Sequence, residues 1–315
     1  MTDLTHKIGA QDTKALRANI NARKRWDLVF AVAGLLAMMI CLLTLASLLI
    51  DMVLTGAPRI SGDFFTNFPS RHPDKAGILS AWVGSLLVML VTAMVAVPLG
   101  IAAGTYLEEY ARKNWVTDII EINITNLAGV PSIVYGLLAL GLLVNGLKLG
   151  QSILAAGLTL ALLILPVVIV STREALRSVS MTLREAAYGM GATRWQTTWH
   201  HTLPSATPGI MTGVIIGMSR AIGETAPIIT IGALTFIAFL PPIPFVAEVA
   251  GQPVAGMFDW LFAPFTVMPI QMFNWTSRPE EAFQVNAAAA GLVLVVMTLS
   301  MNAVAIYIRY RLRNK

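Results

Sequence analysis

Charge is scarce in this sequence. Only 12% of its 315 residues are Asp, Glu, Lys or Arg, about half the fraction of an average soluble domain, so most of the surface is not built for water. Cysteine is scarcer still. Cys41 stands alone inside an apolar run, which excludes an intrachain disulfide and reads as a small residue packed in a core or against lipid. No G-x-x-x-x-G-K-[ST] segment occurs, so the chain carries no phosphate-binding loop, and any nucleotide hydrolysis is expected on another chain. The four histidines are the adjacent His200 and His201 and the isolated His6 and His72, a pattern without metal-ligand spacing. With no nucleophile and base in evident register, the expectation is a protein that is not itself an enzyme, with no catalytic residue, metal or cofactor. The net charge of +5 sits in short segments between apolar runs, without a stacking platform or nucleic-acid motif, so no nucleic-acid partner is expected.

What the sequence has in abundance is long apolar runs. A span needs roughly 20 apolar residues to cross a hydrocarbon core about 30 Å thick, and six stretches satisfy this: Val29 to Ile50, Ala81 to Leu107, Ile122 to Leu147, Ser152 to Ser171, about Pro208 to Leu240, and Phe283 to Ile308. The first begins too far along the chain, and lacks the small-residue cleavage site, to be a cleaved signal peptide. Only Lys148-Leu149-Gly150-Gln151 separates the third from the fourth, which predicts a tight helical hairpin. The fold class is therefore an all-α membrane protein with six transmembrane helices. Its organisation is a tail over 1–28, a membrane domain over 29–309 with a loop at about 172–205, and a second tail over 310–315.

With six crossings, the loops alternate between two sides. Sixteen lysines and arginines fall on one side, in the N-terminal tail, at Arg112 and Lys113, between Arg173 and Arg194, and from Arg309 onward. Five fall on the other: Arg59, Arg71, Lys75, Lys148 and Arg278. By the positive-inside rule the richer side is cytoplasmic, and with it both termini. The basic tail, with Arg23-Lys24-Arg25, reads as an anchor at lipid headgroups. On the outer side, the connection over 241–282 contains Pro241-Pro242-Ile243-Pro244, Trp260 and Trp275, as expected of a segment along the membrane interface or lining a vestibule; a loosely packed loop is the plainer alternative.

The stretch from Thr172 to about Ser205 exceeds the usual 2–8 residues of a helix connection, so it should have structure of its own. Thr182-Leu183-Arg184-Glu185 and Thr193-Arg194-Trp195-Gln196 each match a capping box, in which hydroxyl and carboxylate or amide satisfy free backbone amides. Gly191 between them supplies the residue that ends a helix in the left-handed region. The expectation is a helix-glycine-helix hairpin whose second helix stops before Pro204.

Glu185-Ala186-Ala187, Gly191 and, after nine residues, His201-Thr202-Leu203-Pro204 resemble the "EAA" loop of type I ABC importer membrane subunits, with His201 where that family usually has isoleucine. Ala128 to Gly136, Gly189 to Trp195, Arg220 to Pro227, and Val97 to Ile101 followed by Tyr106 to Tyr110 are similar to the phosphate-importer permeases of the PstA and PstC type, over roughly residues 76–308. The resemblance implies the MetI-like fold, with the loop as a coupling hairpin that docks on a separate ATPase through Glu185, Ala186, Ala187 and Gly191. It also implies a PstC-like second permease, two PstB-like ATPases that bind the ATP, an external phosphate-binding protein, and a place in the bacterial plasma (inner) membrane. Competing expectations are a permease for another oxyanion, such as molybdate or sulfate; a gradient-driven secondary transporter, which should show inverted repeats that are not evident here; and a membrane signalling protein.

One more feature stands out. Arg220 lies about 18 Å beyond Pro208 at 1.5 Å per residue, near mid-membrane, where an arginine costs about 2.5–3.5 kcal/mol or more. Glu224 follows one helical turn later, within reach. Two readings stand: a self-neutralising pair that tolerates burial, or a cation offered to a passing anion and restrained by Glu224 so that binding remains reversible. Gly223, Pro227 and Pro131 are candidate hinges in these spans, a packing kink being the alternative at Pro131.

Overall fold

The structure is a computed structural model and describes residues 2–242, 256 and 258–313. Among the described residues all regular structure is helical, as expected. The chain divides into two units, Met1–Leu54 and Thr55–Lys315. The described residues of the first unit lie in helix α1, Thr2–Gly56, whose large apolar side chains from Trp26 to Leu54 are exposed except Met52.

The second unit opens with the short α2, Gly62–Thr66, then α3, Leu79–Thr105, which runs into a wider π turn at Tyr106–Tyr110. Next come α4, Trp115–Leu127, and α5, Ser132–Ala139 with a π turn at Leu140–Gly146. After α6, Ile153–Arg177, come α7, Met181–Gly189, and α8, Arg194–Thr197, then α9, Leu203–Ile222, and α10, Ala226–Ile231. The chain ends with α11, Asp259–Phe262, α12, Met268–Thr276, and α13, Glu281–Arg313.

The core is α6, packed between α3 and α9. Glycines let these helices approach closely: a Cβ on Gly104 would come within 2.7 Å of Thr172 Cβ, and one on Gly213 within 2.1 Å of Ser171 Cβ. Small residues serve this purpose in membranes, where tails are as apolar as leucine and helices associate by van der Waals fit. Thr92, Thr159 and Thr172 are fully buried, and each hydroxyl donates to a carbonyl four residues earlier at 2.6–2.8 Å, so their burial leaves no orphaned donor. Ser152 caps α6, its hydroxyl accepting from the Ala155 amide. The preceding turn uses positive φ at Lys148 and Gly150, so the predicted tight hairpin is present.

Four described helices are long and apolar enough to cross a membrane: Trp26–Arg59, Leu79–Tyr110, Ile153–Arg177 and Glu281–Arg311. They match the expected first, second, fourth and sixth spans. The third is not one straight helix. α4 and α5 are bent by 104° at Ala128–Pro131, where Pro131 lacks an amide and disfavours helix at the residue before it. The fifth is also broken. α9 ends at Ile222, α10 begins at Ala226, and Gly232 at φ 95° closes α10, so the continuous span expected over 208–240 is replaced by two helices and an irregular segment. Pro241 and Pro242 are described, but Ile243 and Pro244 lie outside the described residues. Trp275 is fully buried against Phe64, their rings 6.1 Å apart, so around it the segment is packed and not a loose loop.

Candidate functional site: a hairpin joined to a charge pair

The loop over 172–205 forms a helix-turn-helix hairpin from α7 and α8. Gly191 has φ 85°, its amide donates to the Tyr188 carbonyl, and the Ala192 amide donates to the Ala187 carbonyl. These two bonds form the motif by which a left-handed residue satisfies the last carbonyls of a helix, so Gly191 ends α7 as its sequence position suggests. The second capping box is also present: the Thr193 hydroxyl accepts from the Gln196 amide, and Gln196 Oε1 accepts from the Thr193 amide at 2.8 Å. The first is not. α7 starts two residues earlier, with Ser180 and not Thr182 at its cap position, and the Thr182 hydroxyl donates to Ser180 instead.

The hairpin does not stop before Pro204. α8 passes through a π turn at Thr198–Thr202 directly into α9, with Pro204 at the start of α9. Pro204 has no amide to give, so the helix continues through it with one backbone hydrogen bond fewer. Residues 194–222 are therefore one helical rod, about 43 Å long at 1.5 Å per residue, running from the hairpin to Arg220. Glu185 and Ala186 are exposed, but Ala187 is buried at 2%. Of the two alanines that the sequence assigned to a partner surface, only Ala186 is available to one.

At the far end of the rod, Arg220 Nε donates to Glu224 Oε1 at 3.2 Å. Glu224 is not on the same helix as Arg220. It lies past the end of α9, and the Gly223 and Glu224 amides close the last turn on the Arg220 and Ala221 carbonyls. The pair thus spans the break between α9 and α10. The Arg220 side chain is 41% exposed in the single chain and that of Glu224 17%, with Glu224 lining a small cavity beside Ser85 and Val267. Pro227 is buried at the start of α10, against Gly136 of α5. The structure brings Arg220, Glu224, Gly223 and Pro227 together; Pro131 marks the other break, and Glu185, Ala186 and Gly191 lie at the hairpin end.

Sequence reasoning missed a charge network that ties the hairpin to α3 and α6. Arg173 is 6% exposed and pairs with Glu121 of α4 and, at 3.5 Å, with Glu108. Arg177 also reaches Glu108, at 2.9 Å. Arg184 of α7 donates to Glu109 at 2.8 Å and to the carbonyls of Leu176 and Val179. Arg194, at the start of α8, lies 5.3 Å over the Tyr110 ring. The available signal was Glu108-Glu109, two acids at the end of a span on the side otherwise rich in basic residues.

Residues 96–315 match the family described as "Binding-protein-dependent transport system inner membrane component". This chain belongs to that family. It is a multi-pass inner-membrane component of a transport system, and the relatives agree. The chain is 31% identical over 268 residues to the phosphate transport system permease protein PstA of Xylella fastidiosa, covering 84% of this chain and 86% of that one. It is 30% identical to the probable ABC transporter permease protein YqgI of Bacillus subtilis, over 84% and 90% of the two chains. Among solved structures, a bacterial alginate ABC transporter in complex with an alginate-bound periplasmic protein aligns with a TM-score of 0.63 at 15% identity, covering 91% of this chain and 96% of that one. The MetNI methionine ABC transporter aligns with a TM-score of 0.55, covering 73% and 93%. At such identities the structures establish the fold alone, a MetI-like permease fold.

Proposed function

We propose that this permease is the PstA-like membrane subunit of an ATP-driven phosphate importer. It works with a PstC-like permease, two PstB-like ATPases that bind and hydrolyse the ATP, and an external phosphate-binding protein. The chain itself needs no cofactor. Both termini and the hairpin face the cytoplasm, as the imbalance of basic residues supports.

The observation that carries this reading is the rod over 194–222, which runs from the hairpin to Arg220 and ends at the break that the Arg220–Glu224 pair spans. Closure of the ATPases on ATP pushes the hairpin, with Glu185, Ala186 and Gly191 at the contact. The rod transmits that push to its other end, where Gly223 and the break before Pro227 let α9 and α10 change their angle. Arg220, exposed in the single chain, offers its guanidinium to the anion at the interface with the second permease. Glu224 competes for the same cation and keeps the anion from being held, as conduction requires. An arginine reads charge before identity, so molybdate or sulfate is the alternative cargo.

The test is uptake of labelled phosphate, with molybdate and sulfate as competitors, in the complex carrying Arg220→Gln, Glu224→Gln or both. Arg220→Gln should assemble and lose uptake. A structural pair predicts that removing both charges restores transport, because matched removal leaves neither partner without a counter-charge, whereas single removal leaves the part-buried Glu224 or Arg220 unpaired. The pore-cation reading predicts that the double variant assembles and remains inactive, and a fully active double variant overturns it.

A further inference from the structure

We propose that Arg184 and Glu109 form a latch that makes the hairpin and the ends of α3 and α6 move as one body, so that both residues are positioning residues for transport. The inference rests on the reading of the hairpin as the ATPase contact and adds the route by which its motion reaches α3.

The argument begins with what the hairpin lacks. α7 has nine residues, fewer than the 12–15 that make an isolated helix even marginal in water, and Ala187 is its one buried residue. Its orientation must be set from outside. Through its own backbone the hairpin is joined only to α6 and α9. α3 is remote in sequence, and a push on the hairpin reaches it directly only through side chains.

Arg184 supplies that connection. Its side chain is 14% exposed and that of Glu109 9%. One nitrogen donates both to Glu109 at 2.8 Å and to the Leu176 carbonyl at 2.9 Å, and another to the Val179 carbonyl at 3.1 Å. One planar guanidinium therefore ties α7, the last turn of α6 and the π turn of α3 in a fixed fork, a geometry a lysine cannot reproduce. The other arm is held beside it, with Arg194 on the ring of Tyr110, the next residue of the same π turn. Glu108, in that turn too, is held by Arg173 and Arg177 of α6. Three consecutive residues of one turn thus grip both arms of the hairpin and the helix that leads into it, and a rigid displacement of the hairpin carries α3 with it.

The test measures position and transport separately. In the assembled complex with Cys41→Ser, spin labels are placed at Met94→Cys on α3 and Met190→Cys on the hairpin, positions that are 67% and 79% exposed. The latch predicts one narrow distance between the labels, unchanged between the nucleotide-free and ATP-trapped states. Glu109→Ala should broaden it and should lower uptake at least about tenfold at retained ATP hydrolysis, in line with the upper range of measured coupling effects. Arg184→Lys keeps the charge, protects folding and loses the fork, so it should broaden the distance as well. A distance that shifts on ATP trapping, or one that remains narrow in both variants, overturns the latch. So does a loss of uptake matched by an equal loss of hydrolysis. The distances are read without cargo; a complex that shows them but does not take up phosphate refutes the phosphate reading and leaves the latch standing.

Discussion

The two ends of this permease are each held by arginines, but with different acceptors. At the end the sequence places outside, Arg59 donates to the carbonyls of Pro73, Asp74 and Ala76 and to Asn286 Oδ1, all within 3.1 Å, and lies 5.2 Å over Phe64. Every partner is neutral and the clamp joins one loop to the start of α13. At the other end Arg173, Arg177 and Arg184 meet Glu108, Glu109 and Glu121 across α3, α4, α6 and α7. A cation on neutral carbonyls has no alternative arrangement to move to and fixes a loop. Ion pairs shared among several helices transmit displacement, because an acid displaced from its place leaves a charge uncompensated.

Removing a cation from each end breaks the comparison most directly. Arg173→Met should leave Glu121 without a partner, and the expected loss is roughly 3 kcal/mol, the low end for breaking a buried pair, because Arg177 still holds Glu108. Reduced yield of folded permease and a lower thermal midpoint in detergent would show it. Arg59→Met should cost about 2 kcal/mol, since the carbonyls it leaves are neutral and water reaches part of the loop. If the Arg59 variant loses more stability than the Arg173 variant, the contrast between the two ends is wrong.

How much of this was legible in the sequence differs between backbone and side chains. Hydropathy located α1, α3, α6 and α13 because an unbroken apolar run reports burial in lipid directly. It could not tell that Ala128–Pro131 and Gly223–Thr225 are full breaks, although Pro131, Gly223 and Pro227 were candidate hinges, since glycine, proline and small residues occur in membrane helices with and without an interruption. Gly191 was legible because few residues accept its φ. Thr182 misled because two hydroxyls, Ser180 and Thr182, compete to begin α7, and only tertiary packing decides. The pairings of the charge network were out of reach: Glu108 and Glu109 stood out as acids on a basic side, but Arg177 and Glu108 are 69 residues apart and Arg184 and Glu109 are 75, and one sequence does not say which arginine each acid meets. Arg220 and Glu224 were legible as a pair because they are local; Gly223 between them was legible as a candidate hinge but not as the end of α9.

The smallest expected effect sharpens the comparison at the hairpin itself. Gly191 has open space around it, so a Cβ there would meet no heavy atom within 4 Å; a clash within the chain is not what makes it glycine. The reason is φ 85°, which charges any L side chain about 1 kcal/mol or somewhat more for left-handed backbone. Gly191→Ala should therefore lower the permease's thermal midpoint only slightly, well below either arginine variant, because strain at an exposed turn does not unpair a buried group. Gly191→Trp adds the same backbone strain and a bulky side chain that only a docked partner would meet. Equal stability of the two variants, with ATPase retention in pull-downs normal for Ala and lost for Trp, is the expected result. Normal retention for both would mean that the turn faces away from the ATPase, and would move the contact to the exposed side chains of α7 and α8.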